Sequence, residues 1–200
     1  MPSLGITGGI ATGKSSFTQI ISRLIPSQVF DADDYSTQLL NLNPQVQSEV
    51  RQHFGDSVFT QERFPDRAIL REIVFHDPDQ LKILEAILHP RIRQYWIRLA
   101  MAAKKGQDWL IVDIPLLFET ETESYFNHIL VVGCSMDTQI RRLVEKRALQ
   151  KEMASRIIHS QFELEVKMNK AQQIIWNEGS LSCLEEQAAL TADYLKMCHG

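Results

Sequence analysis

Short unbroken apolar runs alternate along the chain with longer stretches whose apolar residues recur at three- and four-residue spacing. The first pattern marks buried strands and the second amphipathic helices. Residues 4–7 (Leu-Gly-Ile-Thr), 109–113 (Trp-Leu-Ile-Val-Asp), 128–133 and, more weakly, 173–176 are runs of the first kind, and residues 28–33 read as a further strand ending in carboxylates. Between the first two strands, Phe17, Ile20, Ile21 and Leu24 fall at helical spacing and predict a helix over 16–24. The spacing also predicts a mostly helical stretch over 39–54 and helices over 66–75, 78–88 and 90–105, with Pro90 suited to a first helical turn. Strands separated by helices imply an α/β fold: a parallel sheet of about five strands with right-handed crossovers. Residues 34–108 far exceed the dozen or so residues that a simple crossover needs, so a helical insertion is expected there.

The segment joining the first strand to the first helix reads GGIATGKSS. Gly8, Gly13, Lys14 and Ser15 fit the spacing G-x-x-x-x-G-K-[ST], where glycines let backbone N–H groups curl around phosphate oxygens. Lys14 would reach the β- and γ-phosphates, Ser15 would place its hydroxyl on a magnesium ion, and the loop would sit on a helix N-terminus whose dipole favours anions. In an open α/β sheet the ligand lies beyond the carboxyl ends of the strands, where Asp31, Asp33 and Asp113 also fall. Asp33 is the candidate to accept a proton from, or orient, an attacking hydroxyl. Strand alternation would put it on the same side as Asp31, with Asp34 left as an N-cap or first-turn acid. Asp113 ends an apolar strand as a magnesium-associated acid does, although such strand-end carboxylates also cap turns.

Charge adds a second constellation. Arg141, Arg142, Lys146, Arg147, Lys151 and Arg156 crowd the segment after the fourth strand, while the whole chain of 200 residues carries a net charge of −4. Two readings fit: a solvated helix face, or a basic helical lid over a nucleotide that stabilises charge in phosphoryl transfer, with Arg142 and Arg147 in front. The acidic balance argues against general nucleic-acid binding. No apolar run is long enough to span a membrane and the opening residues lack signal-peptide blocks, so a cytoplasmic location is expected. Cys134, Cys183 and Cys198 are far apart and read as reduced thiols. No Asp is followed by Gly three residues on, and Asn169-Lys170-Ala171-Gln172 lacks the acid that reads guanine, which disfavours a GTPase. A small-molecule kinase fits better.

Taken in order, Gly5-Ile6-Thr7-Gly8-Gly9-Ile10, Gly13-Lys14-Ser15, Asp31-Ala32-Asp33, Asp66-Arg67-Ala68-Ile69-Leu70, Leu88-His89-Pro90-Arg91-Ile92, Asp113-Ile114-Pro115-Leu116-Leu117-Phe118-Glu119 and Gln139 with Arg142, Leu143 and Arg147 resemble the dephospho-CoA kinase family. The resemblance implies a P-loop kinase fold in a single domain. Its nucleotide core would cover about 1–35, 108–136 and 171–200, its helical CoA-binding insertion about 36–107 and its lid about 137–170. It implies ATP-dependent phosphorylation of the ribose 3′-hydroxyl of dephospho-CoA, with ATP and Mg2+ as cofactors and a monomer or weak homo-oligomer as the working form. Lys14, Asp33 and Arg142 would be catalytic. Gly8, Gly9, Ala11, Thr12, Gly13, Lys14, Ser15, Ser16, Arg147 and Asn177 would hold the nucleotide, and Ser15 and Asp113 the metal. Asp33, Arg67, His89, Leu116 and Phe118 would meet the acceptor. Arg67 fits equally a helix-surface ion pair, His89 a place beside Pro90, and Leu116 to Phe118 a core. Ala11 stands where the family usually has glycine, and Gln172 and Trp176 replace common aspartates. A nucleoside or nucleotide kinase of similar architecture and a non-catalytic nucleotide sensor remain alternatives; the sensor needs neither Asp33 nor the lid arginines.

Overall fold

The computed structural model describes residues 2–62, 64–102, 108–147 and 149–199. It divides into two compact units, Met1–Phe30 with Leu99–Gly200, and Asp31–Arg98.

The first unit holds a five-stranded sheet of β1 (Ser3–Gly8), β2 (Ser27–Asp31), β3 (Trp109–Asp113), β4 (His128–Gly133) and β5 (Gln173–Trp176), in the order β2-β3-β1-β4-β5. β1 runs parallel to both β3 and β4, and β4 to β5, so the loop after β1 leaves the middle of the sheet. All residues of β1, β3 and β4 are buried, which is why these strands read as unbroken apolar runs. α1 (Lys14–Leu24) and α9 (Leu181–His199) cover one face. Phe17 and Ile21 of α1 and Leu184, Ala188 and Leu195 of α9 share a core with Leu4, Ile6, Leu130 and Val132. α6 (Met136–Arg147), α7 (Lys151–His159) and α8 (Leu164–Lys170) lie between β4 and β5 in sequence. The N-terminus of α6 is closed by Glu178, whose carboxylate accepts from the Ser135 backbone N–H, the Ser135 hydroxyl and the Thr138 hydroxyl at 2.5–2.8 Å.

The second unit is helical: α2 (Ala32–Leu42), α3 (Pro44–Phe54), α4 (Arg67–His76) and most of α5 (Pro78–Ala102). Leu39, Leu40, Val46, Val50, Val58, Leu70, Ile87 and Leu88 form its own core.

Four sequence expectations change. The second strand stops at Asp31, because Asp31 accepts from the N–H groups of Asp33 and Asp34 and so starts α2; Asp33 is therefore helical, Asp31 is the cap, and Asp34 takes its other expected place, as a first-turn acid. The stretch expected to be helical from 39 to 54 is two helices that share Asn43, which ends α2 and caps α3 through Gln45 N–H and Val46 N–H. The two helices expected on either side of His89 are one, with Pro90 in its interior, so the Ala86 carbonyl loses its usual donor. The expected end of that segment, through Lys105, lies partly outside the described residues. Finally, α1 starts at Lys14 instead of Ser16, which puts the motif's Lys and Ser in the first helical turn.

Asn43→Ala removes an N-cap and costs about 1 kcal/mol. Thermal unfolding should register this as a fall of roughly 2–4 °C, and an unchanged midpoint would contradict the capping role. Glu178 has a second measurable signature. The hydrogen bond from Thr138, then those from Ser135, draw its carboxyl from 4.5 down to about 2. A depressed folded-state pKa stabilises above the unfolded value, so this contribution is intact above pH 4.5 and disappears as pH falls from 4.5 to about 2. In denaturant titrations across that window the stability gap between the wild type and Glu178→Gln should close, and a gap independent of pH would refute the assignment.

Candidate active site

Residues 9–13 make the whole turn between β1 and α1. Gly13 is the N-cap of α1 at φ 95°, a left-handed conformation that suits glycine, and a Cβ there would strike the Asn177 amide. A Cβ on Gly8 would strike the Val132 carbonyl. Lys14, Ser15 and Ser16 then supply the first helical N–H groups, which have no partner within α1 and point out of its N-terminus. The Ser15 and Ser16 side chains are exposed beside them.

Lys14 Nζ pairs with Asp113 Oδ1 at the end of β3, and both side chains are nearly buried at 11% and 4% exposure. Thr18, one turn beyond Lys14, donates to the Lys14 carbonyl at 3.1 Å and lies 3.4 Å from Asp113 Oδ2. A phosphate seated on the α1 N-terminus would therefore meet a cation already ordered by a carboxylate. Ser15 Oγ and Asp113 are hard oxygen donors for a divalent cation. Among the described residues no group of three or more His, Cys, Asp or Glu side chains gathers to cage one. Phosphate oxygens and water would then complete the shell, the coordination that suits magnesium.

Arg142 lies behind the loop. Its Nη1 donates to the Ala11 and Thr12 carbonyls at 3.2 and 3.1 Å, and its Nη2 to the Asn177 carbonyl at 3.0 Å. Asn177, 8% exposed, donates its side-chain amide to the Thr12 carbonyl at 2.8 Å, so it braces the loop from the position just after β5. The Cys134 thiol beside Arg142 is buried, and burial pushes its pKa up to about 11. Arg147 is exposed at the end of α6. Of the residues after β3, Leu116 is half-buried, while Leu117 and Phe118 are 0% and 2% exposed and offer almost no surface to a ligand.

Within the other unit, Asp33 is exposed in the first turn of α2. Arg67 is exposed at the start of α4, capped by Asp66, and makes no ion pair among the described residues. His89 is half-buried in α5; burial lowers its pKa and favours the neutral imidazole, with Glu85 opposing.

Three side chains given no site role from the sequence, Gln139 among them although it belongs to the resemblance, complete the loop's surroundings. Gln161 accepts from the Ile10 N–H at 3.1 Å, and Gln139 donates to the Ile10 carbonyl at 2.7 Å. Lys167, fully buried in α8, pairs with Glu119 at 2.7 Å and donates to the Pro115 carbonyl at 3.0 Å. Burial pushes its pKa down, with Lys14 adding to that and Glu119 opposing. Periodicity gives no signal for Lys167: a lysine in a short helix with Glu165, Asn169 and Lys170 nearby reads as surface.

The family model of dephospho-CoA kinase matches residues 3–182. The dephospho-CoA kinase of Carboxydothermus hydrogenoformans is 33% identical over 188 residues, covering 94% of this chain and 91% of that protein. Among solved structures, TT1252 from Thermus thermophilus aligns with a TM-score of 0.77 at 27% identity, over 98% of this chain and 97% of that one. The dephospho-CoA kinase from Campylobacter jejuni aligns with a TM-score of 0.66 at 26% identity, over 96% of each chain. With the phosphate loop, the sheet order and a match over nearly its whole length in agreement, the chain belongs to the dephospho-CoA kinase family.

Proposed function

We propose that this protein transfers the γ-phosphoryl group of ATP to the ribose 3′-hydroxyl of dephospho-CoA, giving coenzyme A and ADP, the last step of coenzyme A synthesis. The observation that carries the reading is the loop at residues 8–16, seated on the α1 N-terminus with Lys14 held by Asp113, in a chain that matches the family over residues 3–182. Such a loop binds a triphosphate end, and the family supplies the acceptor.

In this reading the unit Asp31–Arg98 carries the acceptor and α6–α8 form the lid. The loop N–H groups and Lys14 hold the β- and γ-phosphates, and Ser15 with Asp113 holds Mg2+, which neutralises phosphate charge when bound. Asp33 orients the 3′-hydroxyl and takes its proton as the oxygen attacks the γ-phosphorus and the bond to the ADP oxygen breaks. Arg67 and His89 contact the acceptor, with Leu116 as the accessible apolar residue after β3. Arg142 acts by holding the loop carbonyls, and Arg147 faces the nucleotide from the lid. No helix among the described residues is long and apolar enough to cross a membrane. The net charge of −4 disfavours general nucleic-acid binding; a cytoplasmic enzyme of small molecules, monomeric or weakly associated, is part of the same proposal.

A coupled ADP-release assay tests the acceptor: dephospho-CoA should turn over and a panel of nucleoside monophosphates should not. Turnover confined to the monophosphates would overturn the assignment. Asp33→Asn should lower kcat by about 100-fold or more while ATP binding survives. Wild-type turnover by this variant would remove Asp33 from the chemistry.

A further inference from the structure

Ala11 is one of two non-glycine residues with positive φ among the described residues, at 58°. That left-handed conformation costs an L-residue with a Cβ on the order of 1–2 kcal/mol, and alanine has no polar side chain to offset it locally. The conformation persists because the peptide groups on both sides of Ala11 are held from one helix. The Ile10 carbonyl, in the peptide group before Ala11, accepts from Gln139 Nε2 at 2.7 Å. The Ala11 carbonyl, in the peptide group after it, accepts from Arg142 Nη1 at 3.2 Å. Gln139 and Arg142 are three residues apart on α6 and so share a face. The other side of Ile10 is held as well, since its N–H donates to Gln161 at 3.1 Å, from the turn between α7 and α8.

The fit is built into the loop. A Cβ on Gly9 would lie 2.5 Å from Gln139 Nε2, so the second glycine of the pair leaves the space that the Gln139 amide fills. Gln139 is 4% exposed, which makes its hydrogen bond to Ile10 costly to lose.

We propose that Gln139 is a positioning residue for phosphoryl transfer: with Arg142 it forms a template on α6 that imposes the left-handed turn at Ala11 and so keeps the phosphate loop in its anion-binding shape. The inference rests on the loop binding a nucleotide, but not on the identity of the acceptor. Its signature is a coupling between two side chains. Without the template, Ala11 relaxes toward ordinary backbone angles and the cradle deforms. Glycine at position 11 has no such preference and depends less on being held.

Nucleotide affinity, measured by titration with a fluorescent ATP analogue, reads this out directly. Gln139→Glu keeps the side chain's size but replaces the donor with a carboxylate, and should weaken binding about tenfold. In an Ala11→Gly background the same substitution should cost about threefold or less, so glycine partly rescues the loss. Gln139→Met, which lacks the donor without adding charge, should show the same rescue and stands in if the Glu variant fails to fold. Equal losses in both backgrounds, or wild-type affinity in the Gln139 variants, would overturn the proposal. If the enzyme ignores dephospho-CoA yet the coupling appears, the acceptor assignment falls and the template stands.

Discussion

The structure depends on holding a short stretch of backbone in a shape it would not keep by itself. Residues 8–13 contain three positive φ angles, at Gly8, Ala11 and Gly13, and the turn they make leaves carbonyls on its rear as well as N–H groups toward α1. Each of those carbonyls needs a donor. The donors come from separate parts of the first unit: the Thr12 hydroxyl to Gly9, Gln139 to Ile10, Arg142 to Ala11, and Arg142 with Asn177 to Thr12. α6 and the residue after β5 are thus fixed by the needs of a loop that precedes them by over a hundred residues. The sheet order makes this economical, because β1 lies beside β4 and β4 beside β5, so their carboxyl ends open onto the same place.

Buried charge follows the same logic at the next level. Lys14 and Lys167 are both nearly or wholly withdrawn from water, and each has an acidic partner, Asp113 and Glu119. Those acids sit on one short stretch, at the end of β3 and in the turn after it. Glu119 also accepts from the Phe162 N–H, and Thr7 and Lys167 share the Pro115 carbonyl. Two desolvated cations in one neighbourhood repel each other, as the effect of Lys14 on Lys167 shows. Interleaved carboxylates make the arrangement tolerable. An arriving triphosphate would bring further negative charge to a place where cations are already ordered, so little rearrangement is required at the moment of binding.

Much of the frame was legible in the sequence because burial on both faces leaves a signal that polar neighbours do not blur. β3, β4 and β5 occupy the spans their apolar runs predict, and the phosphate loop follows from the eight positions of Gly8 to Ser15. The errors fall where a single side chain decides the backbone. Asp31 turns the strand into a helix by accepting two N–H groups, which moves Asp33 from an extended to a helical setting. Pro90 stays inside α5 although proline usually opens or ends a helix. Asn43 divides one apparent helix into two. In the candidate site, Arg142 and Asn177 were expected at the nucleotide, and the structure aims the side chains of both at loop carbonyls. Nothing in a basic run says which cation turns inward.

Arginine suits that inward role for a geometric reason. A carbonyl cluster needs several donors at fixed angles, and Arg142 reaches three carbonyls from two nitrogens of one planar group. A lysine at the same position would have one nitrogen only, and would lack the second one that reaches the Asn177 carbonyl while the first holds the Ala11 and Thr12 carbonyls. In the proposed reading charge would contribute as well, since the guanidinium stands behind a loop whose front would receive an anion. Its field would then favour phosphate without its nitrogens leaving the backbone. Bracing and electrostatic stabilisation would be two consequences of one placement.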